Sequence, residues 1–213
     1  MARPRTAKGR AREVRLRLDD EYPDARCELD HRNPYELLAA TILSAQCTDV
    51  RVNMVTPSLF ARFPTPEDLA VADPAEVEDL VRSTGFYKNK TKSLIGMAQA
   101  LVDRFEGEVP SAMRDLVTVP GVGRKTANVV RSVAMDLPGL PVDTHVLRLS
   151  GRLGLTTETD PVKVEHVLNP MVPAADRGRF SLLLILHGRR VCAARTPRCG
   201  DCVLADFCPS SRV

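Results

Sequence analysis

No stretch of this chain alternates apolar and polar residues with the period of two that marks a strand. The polar punctuation between its apolar runs is that of helices. Asn33-Pro34 reads as an N-cap followed by proline at the first helical position, and predicts a helix to about residue 45. Asp49 caps the next, to about residue 62, with Pro57 inside it as a kink or break. Thr65-Pro66 and Asp73-Pro74 repeat the signal, with Glu76 placed to complete a capping box with Asp73. Gly85 ends that run. Residues 88–105 make a longer amphipathic helix closed by Gly107, and Ser111 caps a short one to about residue 117. Helices follow over about 124–135 and 143–151, from Asp160-Pro161 onward, and over about 176–189. The chain is predicted all-α, with roughly ten helices.

With 213 residues, 44% of them apolar, there is material for a real core, which excludes a wholly disordered chain. The longest apolar run, residues 180–186, is far short of the ~20 residues that cross a bilayer. No signal peptide is visible, so the chain is expected in the cytoplasm, off the membrane.

Charge changes the picture locally. The net charge is +3, but seven basic residues and one acid give residues 1–17 a charge of +6, leaving −3 for the rest. This basic segment is the candidate for disorder, though Val14, Leu16 and Leu18 could dock it as a strand or tail. Residues 64–80 hold six acids and no base, a solvated face turned away from any polyanion. Pro138-Gly139-Leu140-Pro141 is the strongest boundary signal in the middle. Only six of the 30 basic residues are lysines. Each therefore invites a question, because a lysine amine can be tuned to a nucleophile and a guanidinium cannot.

Four of the six cysteines crowd into one segment, as Cys192-x6-Cys199-x2-Cys202-x5-Cys208. Cys27 and Cys47 read as ordinary small hydrophobes. Structural zinc usually takes two close Cys pairs, and only the middle pair qualifies here. Broad single spacings around one tight pair better suit a [4Fe–4S] cube, although zinc stays open on spacing alone. Arg189, Arg190, Arg195 and Arg198 surround this segment, and a metal-stapled loop tipped with Arg195 and Arg198 suits phosphate contact.

Residues 119–127 (VPGVGRKTA) join two helices by a glycine-rich turn. Gly121 and Gly123 let the backbone approach a ligand, and the following helix N-terminus offers free amides and partial positive charge to a phosphate. Val122, Arg124 and Thr126 lie in the same grip. Lys125 reads as a surface charge, a phosphate contact or an amine nucleophile, and its cationic neighbourhood disfavours the ammonium. Asp143, 18 residues on, reads as an N-cap or as a carboxylate that stabilises developing positive charge. His145 reads as a structural polar residue or a DNA contact.

Together these strings resemble the endonuclease III family of DNA glycosylase/AP lyases. The matches are residues 43–49 (LSAQCTD), 85–90 (GFYKNK), 120–130 (PGVGRKTANVV), 142–146 (VDTHV), 186–189 (LHGR) and the four-Cys tail. The likeness covers about residues 20–208. It implies an all-α protein of two lobes with a DNA cleft between them. Residues 27–137 would be a six-helix barrel with a helix-hairpin-helix motif. Residues 138–213, joined by the segment 1–26, would hold a [4Fe–4S] cluster on Cys192, Cys199, Cys202 and Cys208. Lys125 matches the Schiff-base lysine and Asp143 the catalytic aspartate. Gln46 matches the residue that fills the gap left by an extruded nucleotide. Phe86 lies in the loop that wedges the opposite strand, with Tyr87 and Lys88 as further DNA contacts. The implied activity is removal of oxidised pyrimidines from double-stranded DNA followed by β-elimination. The protein would act as a nucleoid-associated monomer.

Five features depart from the family pattern, one of them the basic residues 1–17, an extension beyond its minimal form. Cys47 sits where a small residue is commoner, Pro57 interrupts a helix, Phe86 replaces a frequent Leu, and Thr196 replaces a frequent Lys. They bear on substrate range and affinity rather than reaction type. The rival readings are a monofunctional glycosylase for mismatched adenine or thymine, a non-catalytic iron–sulfur DNA-binding module, and a zinc-bound structural protein. The first generally lacks the hairpin lysine, which is present here.

Overall fold

A computed structural model describes residues 4–213. In chain order the helices are α1 (Ala7–Glu21), α2 (Pro34–Leu43), α3 (Asp49–Arg62), α4 (Pro66–Ala70), α5 (Pro74–Val81) and α6 (Tyr87–Phe105). Then follow α7 (Met113–Leu116), α8 (Arg124–Ala134), α9 (Thr144–Arg152), α10 (Pro161–Leu168) and α11 (Arg177–Arg190). Four short 3₁₀ turns complete the set, and no strand occurs among the described residues. No helix among them is long and apolar enough to cross a membrane. The chain divides into two compact units, one of residues 27–136, the other of the segments before Cys27 and after Asp136.

The 27–136 unit holds α2 to α8. Its centre is α2, nine of whose ten residues are buried. Asn33 caps it as predicted, accepting from the Glu36 amide at 2.9 Å. Helix α2 packs on α8, and α6 packs on α4 and α5. Leu37, Leu38, Leu43, Leu94, Met97, Leu101 and Val130 are fully enclosed. The four-residue α7 is a single turn leading into the hairpin.

Two local expectations in this unit are corrected. Pro57 does not break α3, which runs through it. The ring lies on the exposed side, while Val52, Val55, Leu59 and Phe60 bury the opposite face and hold the helix across the missing hydrogen bond. Thr48 rather than Asp49 caps α3. The capping box belongs to Thr65 and Asp68 at α4, not to Asp73 and Glu76. Glu76 instead takes both arms of Arg62, at 2.5 and 3.0 Å, so a tertiary partner displaces the local one.

The other unit packs α9 against both α10 and α11, and α1 against α11, around Val14, Leu18, Val146, Leu149, Phe180, Leu183 and Leu184. From Ala7 onward the basic segment is therefore corrected from tail to helix; residues 1–3, with Arg3, lie outside the described residues. Thr6 caps α1, and Ala11, Val14 and Leu18 recur at helical spacing on its buried face. Several of its arginines are structural. Arg10 donates to the carbonyls of Leu153 and Gly154. Arg17 grips Asp206 and the Val203 carbonyl and lies over the Phe207 ring. Removing this segment would expose the core of the unit rather than trim a tail.

Candidate functional site

The hairpin between α7 and α8 is anchored from below and open above. Val119 and Val122 are buried, and the Val122 amide donates to the Val119 carbonyl at 3.1 Å. Val122 thus offers only backbone to a ligand. Gly121 stands at φ 77°, where an added Cβ would lie 2.8 Å from Cβ of Ser93. Gly123 precedes α8 in extended backbone, with no side-chain cap, and a Cβ there would meet nothing within 4 Å. Gly123 therefore leaves open space at the start of α8, and a helix N-terminus whose free amides have no side-chain cap is the arrangement that receives a phosphate oxygen. Arg124 and Thr126 are half-buried in this turn. Lys125 is exposed, and its amine makes no hydrogen bond or ion pair among the described residues.

The two glycines predict different outcomes. Gly121→Ala forces alanine into the left-handed region, a cost of about 1–2 kcal/mol before the Ser93 clash. It should lower both the melting temperature and DNA affinity. Gly123→Ala should leave stability within about 0.5 kcal/mol, yet weaken DNA binding by placing a methyl where the phosphate comes closest. Thermal melts and a binding titration on the same samples separate the two.

Gln46 and Phe86 share an unusual backbone. Gln46 has φ 53° and Phe86 φ 48°, both left-handed, and both are exposed. Non-glycine residues take this conformation at a cost, and it persists where the surrounding chain imposes it. Phe86 directly precedes α6 and follows Gly85, at φ 72°. Tyr87 is half-buried beneath the Arg82 guanidinium, 4.9 Å from its ring centre, and Lys88 is exposed.

Asp143 is the N-cap of α9. Its Oδ1 accepts from the amides of His145 and Val146 at 2.8 and 2.9 Å. One oxygen closes the helix, and Oδ2 has no hydrogen-bond partner among the described residues. His145 packs beside Gly188 of α11, where a Cβ would lie 2.8 Å from His145 Nδ1, and that same nitrogen is 3.1 Å from Arg148 Nη2. Arg195 and Arg198 are both exposed on the Cys loop. Arg198 is turned back onto the Arg190 carbonyl, whereas the Arg195 side chain meets no hydrogen-bond or ion-pair partner among the described residues.

Cys192, Cys199, Cys202 and Cys208 line one cavity, floored by Leu149, Leu153 and Leu204. The four thiols share one chamber, and four soft sulfur donors at one site fit an iron–sulfur cluster. The polar surroundings also fit bound sulfur. Arg152 Nη1 donates to Cys192 Sγ at 3.2 Å and to the Ala193 carbonyl. His187 Nε2 lies 3.2 Å from Cys202 Sγ, and its Nδ1 lies 3.1 Å from the Tyr22 hydroxyl. Burial pushes His187 down to about 4, so the ring is neutral and can donate from Nε2 while Nδ1 accepts from Tyr22. Burial also pushes the Cys202 and Cys208 thiols up. Cationic iron would hold them as thiolates against that tendency.

Comparison with known proteins places this geometry. Residues 39–174 match the HhH-GPD superfamily of base excision DNA repair proteins, and residues 192–208 match the iron-sulfur binding domain of endonuclease III. Endonuclease III of Synechocystis sp. is 54% identical over 206 residues, covering 96% of this chain and 94% of its own. Endonuclease III of Escherichia coli K12 is 38% identical over 201 residues, covering 94% and 95%. This chain belongs to the endonuclease III family. Among solved structures it is similar to a trapped endonuclease III–DNA covalent intermediate, with TM-score 0.90 and 42% identity over 95% of this chain and 96% of that one. A thermostable thymine-DNA glycosylase reaches TM-score 0.86 at 21% identity, a likeness of fold alone.

As a member of this family, the protein carries a [4Fe–4S] cluster, and zinc is set aside. Sequence reading passed over the polar groups around the cluster. Arg148 Nη2 donates to the carbonyls of Gly188 and Cys192, both at 3.0 Å. With Arg152 it ties the start of the Cys loop to α9. Their four-residue spacing places both on one face of that helix, the one signal that could have found them. Cys202→Ser should abolish the visible iron–sulfur absorbance near 400 nm and lower the melting temperature of its unit, since cluster binding contributes to folding. An unchanged spectrum would remove Cys202 from the ligand set.

Proposed function

We propose that Lys125 and Asp143 perform base removal and strand cleavage in this bifunctional glycosylase and AP lyase. A base stacked in duplex DNA hides its sugar C1′, so the damaged nucleotide is first everted, which costs a few kcal/mol of stacking and pairing. Gln46 offsets that cost by filling the gap, and Phe86 by wedging the opposite strand. The amides before α8 hold the backbone through a phosphate, with Arg124 and Thr126 beside them. Tyr87, Lys88, His145, Arg195 and Arg198 add contacts to the duplex.

The Lys125 amine attacks C1′ through its lone pair, and the C1′–N bond breaks with its electron pair leaving on the damaged base, which departs with a proton as Nζ sheds one. Asp143 stabilises the positive charge that develops on the sugar. The C1′–O4′ bond then breaks, O4′ keeping the electron pair and taking a proton from solvent, and leaves an iminium between C1′ and Nζ. This acidifies the C2′ proton, and its loss expels the 3′ phosphate. The substrate class is oxidised pyrimidine, and the setting is the cytoplasmic nucleoid. Cys192, Cys199, Cys202 and Cys208 would hold the cluster, which supplies a structural clasp for the Arg-bearing loop and no electron to the reaction.

The observation that carries this reading is an exposed, unpartnered amine on the first turn of a helix whose N-terminus is built to receive a phosphate. Borohydride reduction tests it. The protein should become covalently joined to a duplex bearing an abasic or oxidised-pyrimidine site, and duplex left unlinked would overturn the reading.

A further inference from the structure

Lys90 is unlike the other lysines of this chain. Its side chain is buried, with 5% of its surface exposed, on the inner face of α6. No carboxylate pairs with it among the described residues. Its Nζ donates instead to the backbone carbonyl of Thr84, at 2.8 Å. Burial pushes the ammonium below its ordinary range. An apolar side chain of similar length would fill the same space without that penalty, so the charge needs a reason.

The reason lies four to six residues back. Thr84 ends a 3₁₀ turn (Arg82–Thr84), and its carbonyl is among those a helix end leaves without an internal partner. Next come Gly85 and Phe86, both left-handed, and Phe86 is 66% exposed. Thr84 itself is buried and its turn packs on α3, α5 and α6, but at the tip packing gives no support, since a Cβ on Gly85 would meet nothing within 4 Å. The outer ties are slight. The Gly85 amide reaches the Arg82 carbonyl at 3.4 Å, and Arg82 lies over the Tyr87 ring. Thr84 Oγ1 turns back to the Val81 carbonyl at 2.8 Å. The Lys90 amide reaches the Phe86 carbonyl at 3.1 Å, as part of the helix, and the Lys90 ammonium makes the only charged hydrogen bond to the backbone of this turn among the described residues; a charge-assisted hydrogen bond at a buried site is the strongest available.

We propose that Lys90 is a positioning residue, whose buried ammonium grips the Thr84 carbonyl and so fixes the strained turn that presents Phe86 to the duplex. This rests on Phe86 acting as the wedge. Lys90 touches neither substrate nor cluster. It acts through the backbone, by keeping Phe86 projecting while the ring displaces stacked bases.

A double-mutant cycle tests this. Single-turnover base removal is measured at saturating enzyme for the wild type, Lys90→Met, Phe86→Ala and the pair. Each single variant should slow base removal about tenfold or more, the scale on which a small misplacement of a working group acts. The pair should be no slower than Phe86→Ala alone, because Lys90 has nothing left to position. Lys90→Gln, which keeps a neutral N–H donor, should recover part of the rate. Slowing in the pair by the product of the singles would show a general structural role and overturn the proposal. So would a Lys90→Met enzyme of full speed beside a slow Phe86→Ala. Full speed in Phe86→Ala would instead remove the wedge reading, and the role of Lys90 with it. If Lys90→Met does not fold, Lys90→Gln in the same cycle gives the same decision.

Discussion

Lys125→Ala is expected to fold, to bind duplex DNA, and never to become covalently attached to it under borohydride. Alanine at an exposed position in the first turn of α8 should change stability by less than about 0.5 kcal/mol. Base removal and strand cleavage should fall together, by at least about 10³-fold, because removing a covalent nucleophile abolishes the step that links them. Lys125→Arg should fail as completely, since a guanidinium keeps its proton and offers no lone pair to C1′. The measurement is a denaturing gel of borohydride-reduced mixtures beside a binding titration. Trapping that survives in both variants would move the nucleophile elsewhere. Loss of trapping with equal loss of binding would reduce Lys125 to a phosphate contact.

Asp143→Asn is expected to slow base removal by about 10²–10³-fold, the scale set by removing one preorganised electrostatic group. The substitution isolates charge. Asn is as good an N-cap as Asp, so Oδ1 can still accept from the His145 and Val146 amides and α9 stays closed. Only the negative charge is lost. Asp143→Ala, which also removes the cap, should in addition cost about 1 kcal/mol of stability. Denaturant melts and single-turnover rates separate the two effects. If Asn turns over like the wild type while Ala is impaired only through stability, Asp143 is a helix cap and nothing more.

The family resemblance rested on short strings whose chemistry is local. A glycine-rich turn before a helix N-terminus, and four thiols within seventeen residues, carry their meaning in residue type and spacing. Helix starts were equally readable. Asn33-Pro34, Thr65-Pro66 and Asp160-Pro161 each open a helix, because a cap and its amide lie within three residues of each other and need no distant partner.

Where distant partners enter, local signals fail. Residues 7–17 look too polar to fold, yet they are helical, because three apolar side chains on one face meet α11 and the arginines find carbonyls and carboxylates from the far end of the chain. Glu76 was matched to its own helix end and belongs to Arg62. Pro57 should end a helix and does not, because burial of the opposite face outweighs one lost hydrogen bond. Nothing in the order of residues shows that Gln46 and Phe86 stand in left-handed backbone, that His187 bridges Tyr22 and Cys202, or that Lys90 lies buried against the Thr84 carbonyl. Caps, turns and ligand spacings are decided over a few residues, where side-chain chemistry dominates. Strain, burial and second partners depend on which surfaces meet, and that depends on the whole packed chain.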